Sequence, residues 1–389
     1  MLELLHEVWT AEAAVLPLDA RLPDAAVTEL LARARPTVLV DGQRRDRLPA
    51  GRPVRDGTAL VMSTSGSTGR PRLVELSRDA VSAAVRSSDT RLMGITGLPG
   101  ADASADGWVS MLPLSHIGGL LVPLRGVVLG APVVVRDPAS VAQRPPPGMV
   151  LTSLVPRLLE RLLGAPHCGE WYRAVLLGGM AAPAALLALA QLRGLHCIPT
   201  YGLTESCGGV VYDGFPLPGT EVRIAAGTSE IELRGPTLLT AYRDGDDAPP
   251  VGSDGWLRTG DAGHVDASGA LRVDGRLDDV IVTGGDKVWP AAVEAVLRTH
   301  PGVADAAVVS RPDAAWGERV VAVVVPDDAA SPPQLHALRD AVGAVHGRHV
   351  APRELVVVTH LPRTALGKVA REQVRRLVER GSEGAVWDH

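Results

Sequence analysis

Five stretches of this chain carry residue types suited to phosphate and carboxylate chemistry. The first, Ser63-Thr64-Ser65-Gly66-Ser67-Thr68-Gly69-Arg70-Pro71-Arg72, sets two glycines and five hydroxyl residues together with no large apolar side chain among them. Glycine lets successive backbone N–H groups turn toward one point, and small hydroxyls add donors without filling the space, so the stretch suits a polyphosphate. It is not a Walker A loop, because no Gly-Lys-Ser/Thr closes it. A solvated Ser/Gly linker would share this composition. Against a linker stand the apolar run Ala59-Leu-Val-Met62, which reads as a strand leading in, and the Arg70-Pro71-Arg72 exit into a helix capped by Ser77.

The other four lie further on. Tyr201-Gly202-Leu203-Thr204-Glu205 offers an aromatic face, a hydroxyl and a carboxylate. Trp256-Leu-Arg-Thr-Gly-Asp261 places a carboxylate after a glycine. Gly275-Arg276-Leu-Asp278-Asp-Val-Ile-Val-Thr-Gly284-Gly285 is followed by Lys287, Pro290 and Glu294. Pro362-Arg-Thr-Ala-Leu-Gly-Lys368 ends on a lysine. Taken singly, each reads first as an ordinary Gly- and Asp-rich turn with solvated Arg or Lys, and only their joint order is specific. The lysines sharpen the last two, because Lys287 and Lys368 are the only ones in a chain whose other basic residues are arginines. Under such a bias, a retained lysine points to a site that needs a compact, mobile ammonium.

The elements that must position these stretches are legible in outline. Residues 1–55 read as helical and then loop-like, and Ser77–Ser88 as a helix. The segment Asp106–His116, a strand ending in a turn, and the strands Ala131–Val135, Met149–Ser153, Ala174–Leu177 and His196–Thr200 alternate with helices over Ile117–Leu129, Val155–Leu163 and from Pro183 to Gly194. That rhythm predicts an α/β fold with a mostly parallel sheet, whose ligands gather at the carboxyl ends of the strands. Short strands over Glu221–Ala225, Glu230–Arg234, Trp256–Thr259 and Leu271–Val273 predict a β-rich subdomain. After Gly275, strands at 280–283, 304–310, 320–325 and 354–359 with helices at 290–299 and 334–346 predict a small α+β domain.

Composition narrows the function. A net charge of −5 gives no basic footprint for nucleic acid. The acidic N-terminus lacks the basic region of a signal peptide, and no run approaches the ~18 apolar residues of a membrane span, so a cytoplasmic protein with no membrane span is expected. Three cysteines, Cys168, Cys197 and Cys207, have no zinc-type spacing. Homo-oligomerisation is left open.

In their order, the five stretches resemble the motifs of the adenylate-forming superfamily: acyl- and aryl-CoA synthetases, luciferases and peptide-synthetase adenylation domains. The resemblance runs from Ala59 to the C-terminus. Leu112-Pro-Leu-Ser-His116-Ile-Gly-Gly119, Thr152-Ser-Leu-Val-Pro156 and Leu177-Gly178-Gly179-Met180 are most similar to the o-succinylbenzoate–CoA ligase branch of menaquinone biosynthesis. The resemblance implies an N-terminal ATP- and acid-binding domain, residues 1–277, and a mobile C-terminal domain, residues 278–389. It also implies ATP, Mg²⁺, coenzyme A and a small carboxylic acid as reactants and cofactors.

Residue by residue, it implies that Thr64, Ser65, Gly66, Ser67, Thr68, Gly69 and Arg72 cradle the β- and γ-phosphates. Gly178, Gly179 and Met180 would border adenine, with Tyr201 and Gly202 against its face. Thr204 would meet the α-phosphate and Glu205 would hold Mg²⁺. Asp261 and Arg276 would bind the ribose, and His116 would line the acyl pocket. Lys368 would be the catalytic lysine, Asp278 the hinge, and Gly284-Gly285 the loop facing the pantetheine arm. Arg72 and Leu73 depart from the family's usual Lys-Gly, keeping the charge but not the compact ammonium. Another aryl- or acyl-CoA ligase, or an enzyme loading a carrier protein, fits the same motifs. For a dicarboxylic acid, Arg125 and Arg157 are candidate cations.

Overall fold

The structure, a computed structural model, describes residues 2–64, 72–95, 106–243, 251–363 and 369–380. It divides into two compact units: Met1–Arg223 with Glu232–Thr259 and Asp266–Leu271, and Ile224–Ile231 with Gly260–Val265 and Arg272–His389.

In the first unit, helices α1 (Leu2–Thr10) and α2 (Asp24–Ala34) precede a hairpin of β1 (Val38–Asp41) and β2 (Arg44–Arg47). Residues 1–55 are thus not simply helix and loop. The hairpin strands are largely exposed and carry no apolar alternation, so only their cross-strand pairing marks them. Strand β3 (Thr58–Ser63) pairs antiparallel with β4 (Leu73–Ser77), and helix α3 (Arg78–Ile95) follows. The Arg72 exit therefore enters a strand before any helix, because Leu73, Val74 and Leu76 bury themselves by folding back along β3. Ser77 still caps, accepting a hydrogen bond from the Ala80 N–H at 3.0 Å.

Next come β5 (Gly107–Ser110), α4 (Ile117–Leu129), β6 (Val133–Val135), β7 (Met149–Leu154), α5 (Pro156–Leu163), β8 (Ala174–Leu177), α6 (Ala184–Leu192), β9 (Cys197–Leu203), β10 (Gly208–Tyr212) and β11 (Phe215–Pro216). They form a seven-stranded sheet in the order β11-β10-β9-β8-β7-β5-β6. Strands β6, β5, β7, β8 and β9 are parallel, while β10 and β11 close one edge antiparallel. Because side chains alternate faces along a strand, Val109, Leu154, Val175 and Leu177 enter one core, and Trp108, Leu151, Ala174 and Leu176 enter another. A sheet covered on both faces needs such continuous apolar runs, which is why these strands are readable from the sequence.

Four strands then form one sheet in the order β12 (Glu221–Ile224), β13 (Glu230–Arg234), β15 (Leu257–Val265), β16 (Leu271–Arg276). The short β14 (Ala241–Tyr242) joins β4 and β3 instead. Strand β15 runs six residues beyond the predicted end at Thr259, so Asp261 sits within a strand and not after one.

In the second unit, β17 (Ile281–Thr283), β18 (Asp286–Val288), α7 (Pro290–Leu297), β19 (Val303–Asp313), β20 (Gly317–Pro326), α8 (Leu335–His346), β21 (Glu354–Val357) and α9 (Arg371–Arg380) build a five-stranded sheet and its helices. One face packs Ala306, Val308, Val320, Ala322 and Val324 with Val293 and Leu297 of α7 and Leu338 and Val342 of α8. The other packs Ala307, Val309, Val321 and Val323 with Val374 and Val378 of α9. The sequence reading missed α9. Its buried stripe is those two valines at i and i+4 in a strongly charged segment, too narrow to mark a helix without the sheet beneath it.

Candidate active site

In the first unit, the turns that follow parallel strands supply the candidate groups. Gly178, Gly179 and Met180 follow β8, and Thr204 and Glu205 open a 3₁₀ turn after β9. His116 lies beyond β5 as the residue before α4, and Val155 leaves β7 for α5. Geometry dictates the glycines here. Gly179 has φ of +83°, and a Cβ at Gly178 would stand 2.6 Å from Thr200 Oγ1. A Cβ at Gly202 would run into the Gly208 carbonyl oxygen across the β9–β10 pair. That contact is backbone, so no rotamer relieves it. We expect Gly202→Ala to lower stability by at least the ~1–3 kcal/mol typical of overpacking, read as a reduced melting temperature. A variant melting like the parent would show that β9 and β10 separate cheaply.

Glu205 is partly buried, and one of its oxygens is engaged: Tyr242 Oη donates to Oε1 at 3.2 Å. Burial pushes the Tyr242 hydroxyl up to about 12, and the neighbouring Glu205 carboxylate adds to the rise. The phenol therefore stays a proton donor throughout the physiological range. The Leu239 N–H donates to the Glu205 carbonyl at 2.8 Å, so the segment that delivers Tyr242 is tied to the same turn. The Arg72 guanidinium lies 4.7 Å from the centre of the Tyr242 ring. Thr64 and Arg72 are joined twice: Thr64 N donates to Arg72 O at 2.8 Å, and Arg72 N to Thr64 Oγ1 at 3.1 Å. Tyr242 thus links the stem of the Gly-rich stretch to Glu205. Sequence reasoning missed it because the tyrosine stands in no motif and arrives on a two-residue strand.

Behind His116, α4 presents Ile117, Leu121 and Arg125 at successive turns. Ile117 and Leu121 face Gly208, where a Cβ would come within 2.5 Å of Leu121 Cδ1. Arg125 is fully buried, with its guanidinium 4.0 Å from the centre of the Trp108 ring and Nη2 donating to Ser88 Oγ at 2.8 Å. Ser88 in turn lies 2.7 Å from the Tyr212 hydroxyl. The Nε and Nη1 atoms of Arg125 have no hydrogen-bond partner among the described residues. Burial lowers the pKa of this guanidinium, with Tyr212 and Asp89 acting in the opposite sense. Arg157, the other cation considered, is an exposed residue of α5.

In the second unit, Asp261 is buried and its Oδ1 accepts from Arg276 Nη1 at 3.0 Å. Gly260, at φ of +69°, gives that guanidinium room, since a Cβ there would lie 2.9 Å from Arg276 Nη2. Asp278 belongs to the 3₁₀ turn Leu277–Asp279 and is exposed, 3.8 Å from Arg276 Nη2. Gly284 and Gly285 form the two-residue turn between β17 and β18, both with positive φ, the geometry of a type I′ hairpin. Trp316, which the sequence reading did not single out, lies against that turn: its carbonyl accepts from the Gly284 N–H at 2.8 Å. Lys287 is an exposed residue of β18. Ser65, Gly66, Ser67, Thr68, Gly69 and Lys368 lie outside the described residues.

Residues 41–239 match the AMP-binding enzyme family, and residues 292–368 match the family of the AMP-binding enzyme C-terminal domain. The chain belongs to the AMP-binding enzymes. Among similar proteins is a probable 2-succinylbenzoate–CoA ligase of Mycobacterium tuberculosis, 39% identical over 85% of this chain and 87% of that protein. An indoleacetate–CoA ligase of Aromatoleum aromaticum is 35% identical over 82% of this chain and 67% of that protein. Among solved structures, the o-succinylbenzoate CoA synthetase MenE of Bacillus subtilis, in complex with its acyl-adenylate intermediate, matches with a TM-score of 0.76 at 28% identity. It covers 96% of this chain and 80% of that one. The ATP-bound MatB of Rhodopseudomonas palustris has a TM-score of 0.82 at 21% identity, covering 97% of this chain and 86% of that one, and shares the fold. The α/β class and the superfamily read from the motifs are thus those of an AMP-binding enzyme.

For a metal in such an enzyme, the donor set is informative. Among the described residues no group of three or more His, Cys, Asp or Glu could hold an ion. Glu205 offers a carboxylate oxygen in the turn that follows β9, which fits a Mg²⁺ that keeps most of its ligands from water and phosphate. Also among the described residues, no helix is long and apolar enough to cross a membrane.

Proposed function

We propose that this AMP-binding enzyme is an ATP-dependent 2-succinylbenzoate–CoA ligase acting in menaquinone biosynthesis in the cytoplasm, where ATP and coenzyme A are available. Residues 1–277 would bind ATP and acid, and residues 278–389 would move as a body about Asp278. In the first half-reaction an oxygen of the substrate carboxylate bonds to the α-phosphorus of ATP as the bond to pyrophosphate breaks. In the second, the coenzyme A sulfur bonds to the acyl carbon, AMP departs and the thiol proton is lost to solvent. No general base is needed in the first step, because the carboxylate is already ionised at pH 7.

The chain's own residues divide this work. The hydroxyls and N–H groups of Thr64–Gly69, with Arg72, hold the terminal phosphates. Gly178, Gly179, Met180, Tyr201 and Gly202 bound the adenine, and Asp261 with Arg276 takes the ribose. Thr204 binds the α-phosphate, His116 lines the acyl pocket, and Gly284-Gly285 admits the pantetheine arm. Bound Mg²⁺, held by Glu205, would neutralise phosphate charge. The Tyr242 hydrogen bond orients that carboxylate.

Arg125 carries the choice of substrate. Trp108, Ser88 and the nearby Asp89 offset part of the burial of this guanidinium, and its Nε and Nη1 keep donors for a further acceptor. It lies on the face of α4 that begins at Ile117, next to His116. An acid with a second carboxylate supplies that acceptor, and 2-succinylbenzoate has one. We expect Arg125→Met to raise KM for 2-succinylbenzoate at least tenfold while leaving KM for ATP within about twofold, the loss of one charge-assisted contact being worth ~1.5–3 kcal/mol. Pyrophosphate release across a panel of acids checks the whole reading. Turnover of a monocarboxylic aryl acid without turnover of 2-succinylbenzoate would overturn it in favour of another aryl-CoA ligase, the reading that the indoleacetate–CoA ligase relative favours.

A further inference from the structure

Glu294 and Asp279 are two carboxylates of the second unit to which the functional reading gives no task, yet both are held by the same arginine. Arg371, the first residue of α9, donates from Nη1 to Glu294 Oε1 at 2.6 Å and to the Val308 carbonyl at 2.8 Å. Its Nε lies 3.1 Å from Asp279 Oδ2. Arg375, one turn along α9, donates to Asp279 Oδ1 at 3.0 Å, so that carboxylate is clamped by two guanidinium groups. Glu294 is buried on α7 and also accepts from the Val308 N–H at 2.9 Å, which anchors Arg371 to the central sheet.

The positions of these residues in the chain give the arrangement its consequence. Asp279 directly follows Asp278 and closes the Leu277–Asp279 turn. Arg371 comes three residues after Lys368. Arg363 and Val369 are joined by a bridge, and the Ala370 N–H donates to the Pro362 carbonyl at 2.9 Å, so the described residues on either side of Lys368 in the chain are paired. Arg363 itself pairs with Asp305 of β19.

We propose that the Asp279–Arg371–Arg375 cluster is a positioning device: it locks the turn carrying Asp278 to the stem carrying Lys368. This rests on the ligase reading above, in which Asp278 is the hinge and Lys368 serves the first half-reaction. A change of backbone angle at Asp278 then moves the lysine stem with no slack. Without the clamp, the stem keeps its Glu294 and Asp305 anchors but loses its tie to the turn, and the ammonium arrives over a wider spread of positions. Gly284-Gly285 is fixed separately, by the β17–β18 register and the Trp316 carbonyl, so it does not depend on the clamp.

The test uses Asp279→Asn in the full chain, with Arg375→Gln and the double variant alongside. Asp279→Asn keeps the shape and removes the charge. Expected is at least a tenfold fall in kcat for pyrophosphate release with KM for ATP within about twofold, while thioester formation from supplied acyl-adenylate stays within twofold. The double variant should be no slower than Asp279→Asn alone, because both substitutions open one clamp. Equal loss in both half-reactions, or no loss in either, overturns the proposal. Amide hydrogen exchange of residues 369–375 reads the clamp without any activity: exchange should rise about tenfold in Asp279→Asn, and unchanged exchange overturns the coupling. Failure of the parent protein to release pyrophosphate with any acid would instead strike the ligase reading, and the exchange measurement would then decide the clamp by itself.

Discussion

Lys368→Ala is expected to lose adenylate formation by about 10²–10³ in rate while converting supplied acyl-adenylate to thioester at close to the parent rate. The first half-reaction brings a carboxylate anion to a polyphosphate anion. Negative charge in its transition state is spread over the attacking oxygen, the phosphoryl oxygens and the departing pyrophosphate. A positioned ammonium stabilises that charge, and a chain with two lysines among its 39 basic residues has placed one of them at the end of Pro362–Lys368. In the thioester step the bonds that form and break are at the acyl carbon and none changes at the phosphorus, so a group that serves phosphoryl transfer should not be needed. Pyrophosphate release and thioester formation, measured separately, decide the matter. Equal loss in both would show that the lysine supports the fold of its unit or serves both steps, and the alternation of domains would lose its support.

Glu75→Ala is expected to destabilise the first unit by about 3–5 kcal/mol, the cost of leaving a buried cation without its counter-charge. Glu75 and Arg243 are both almost fully buried, with Arg243 Nη1 donating to Glu75 Oε1 at 2.9 Å. The same guanidinium donates to the carbonyls of Ala34 at 2.6 Å, of Pro53 at 3.1 Å and of Arg52. Arg55 closes the other side of the carboxylate at 2.8 Å. One charged knot therefore holds the end of α2, the segment before β3, strand β4 and the strand that brings in Tyr242. Removing the carboxylate leaves a guanidinium that cannot reach water. Replacing both partners together, as Glu75→Leu with Arg243→Met, should cost less than Glu75→Ala alone, because no charge then remains buried. The midpoint of the first transition in urea is the appropriate measure, since two units need not unfold together. A shift below about 1 kcal/mol would mean that the carbonyls alone satisfy Arg243. Because β14 pairs with β4, the destabilised variant should also bind ATP more weakly through loss of the Tyr242–Glu205 contact.

Short-range periodicity and glycine chemistry are written in the order of the residues and were legible there. The helix over Ile117–Leu129 has the predicted bounds, and Ala174–Leu177 is the predicted strand. Both follow from local apolar patterns in a sheet buried on two faces, and the motif order identified the superfamily. Gly178, Gly179, Gly202, Gly284 and Gly285 stood out as glycines, and the structure supplies the reason: positive φ, or a neighbouring atom where a Cβ would go.

Tertiary structure alone decided the rest, because the deciding contacts join residues far apart in sequence. Strand β4, read as the approach to a helix, exists because β3 offers it an antiparallel partner and a buried face. Tyr242 reaches Glu205 across 37 positions. Arg243 reaches Ala34 across 209, and no pattern in either segment announces it. Helix α9 becomes a helix with a purpose only where Val374 and Val378 meet the sheet and Arg371 meets Glu294. Burial made the same kind of decision for Arg125. In the sequence it is one of many arginines, and in the fold it is a cation buried beside Trp108 with hydrogen-bonding capacity to spare, because only packing can take a charge away from water.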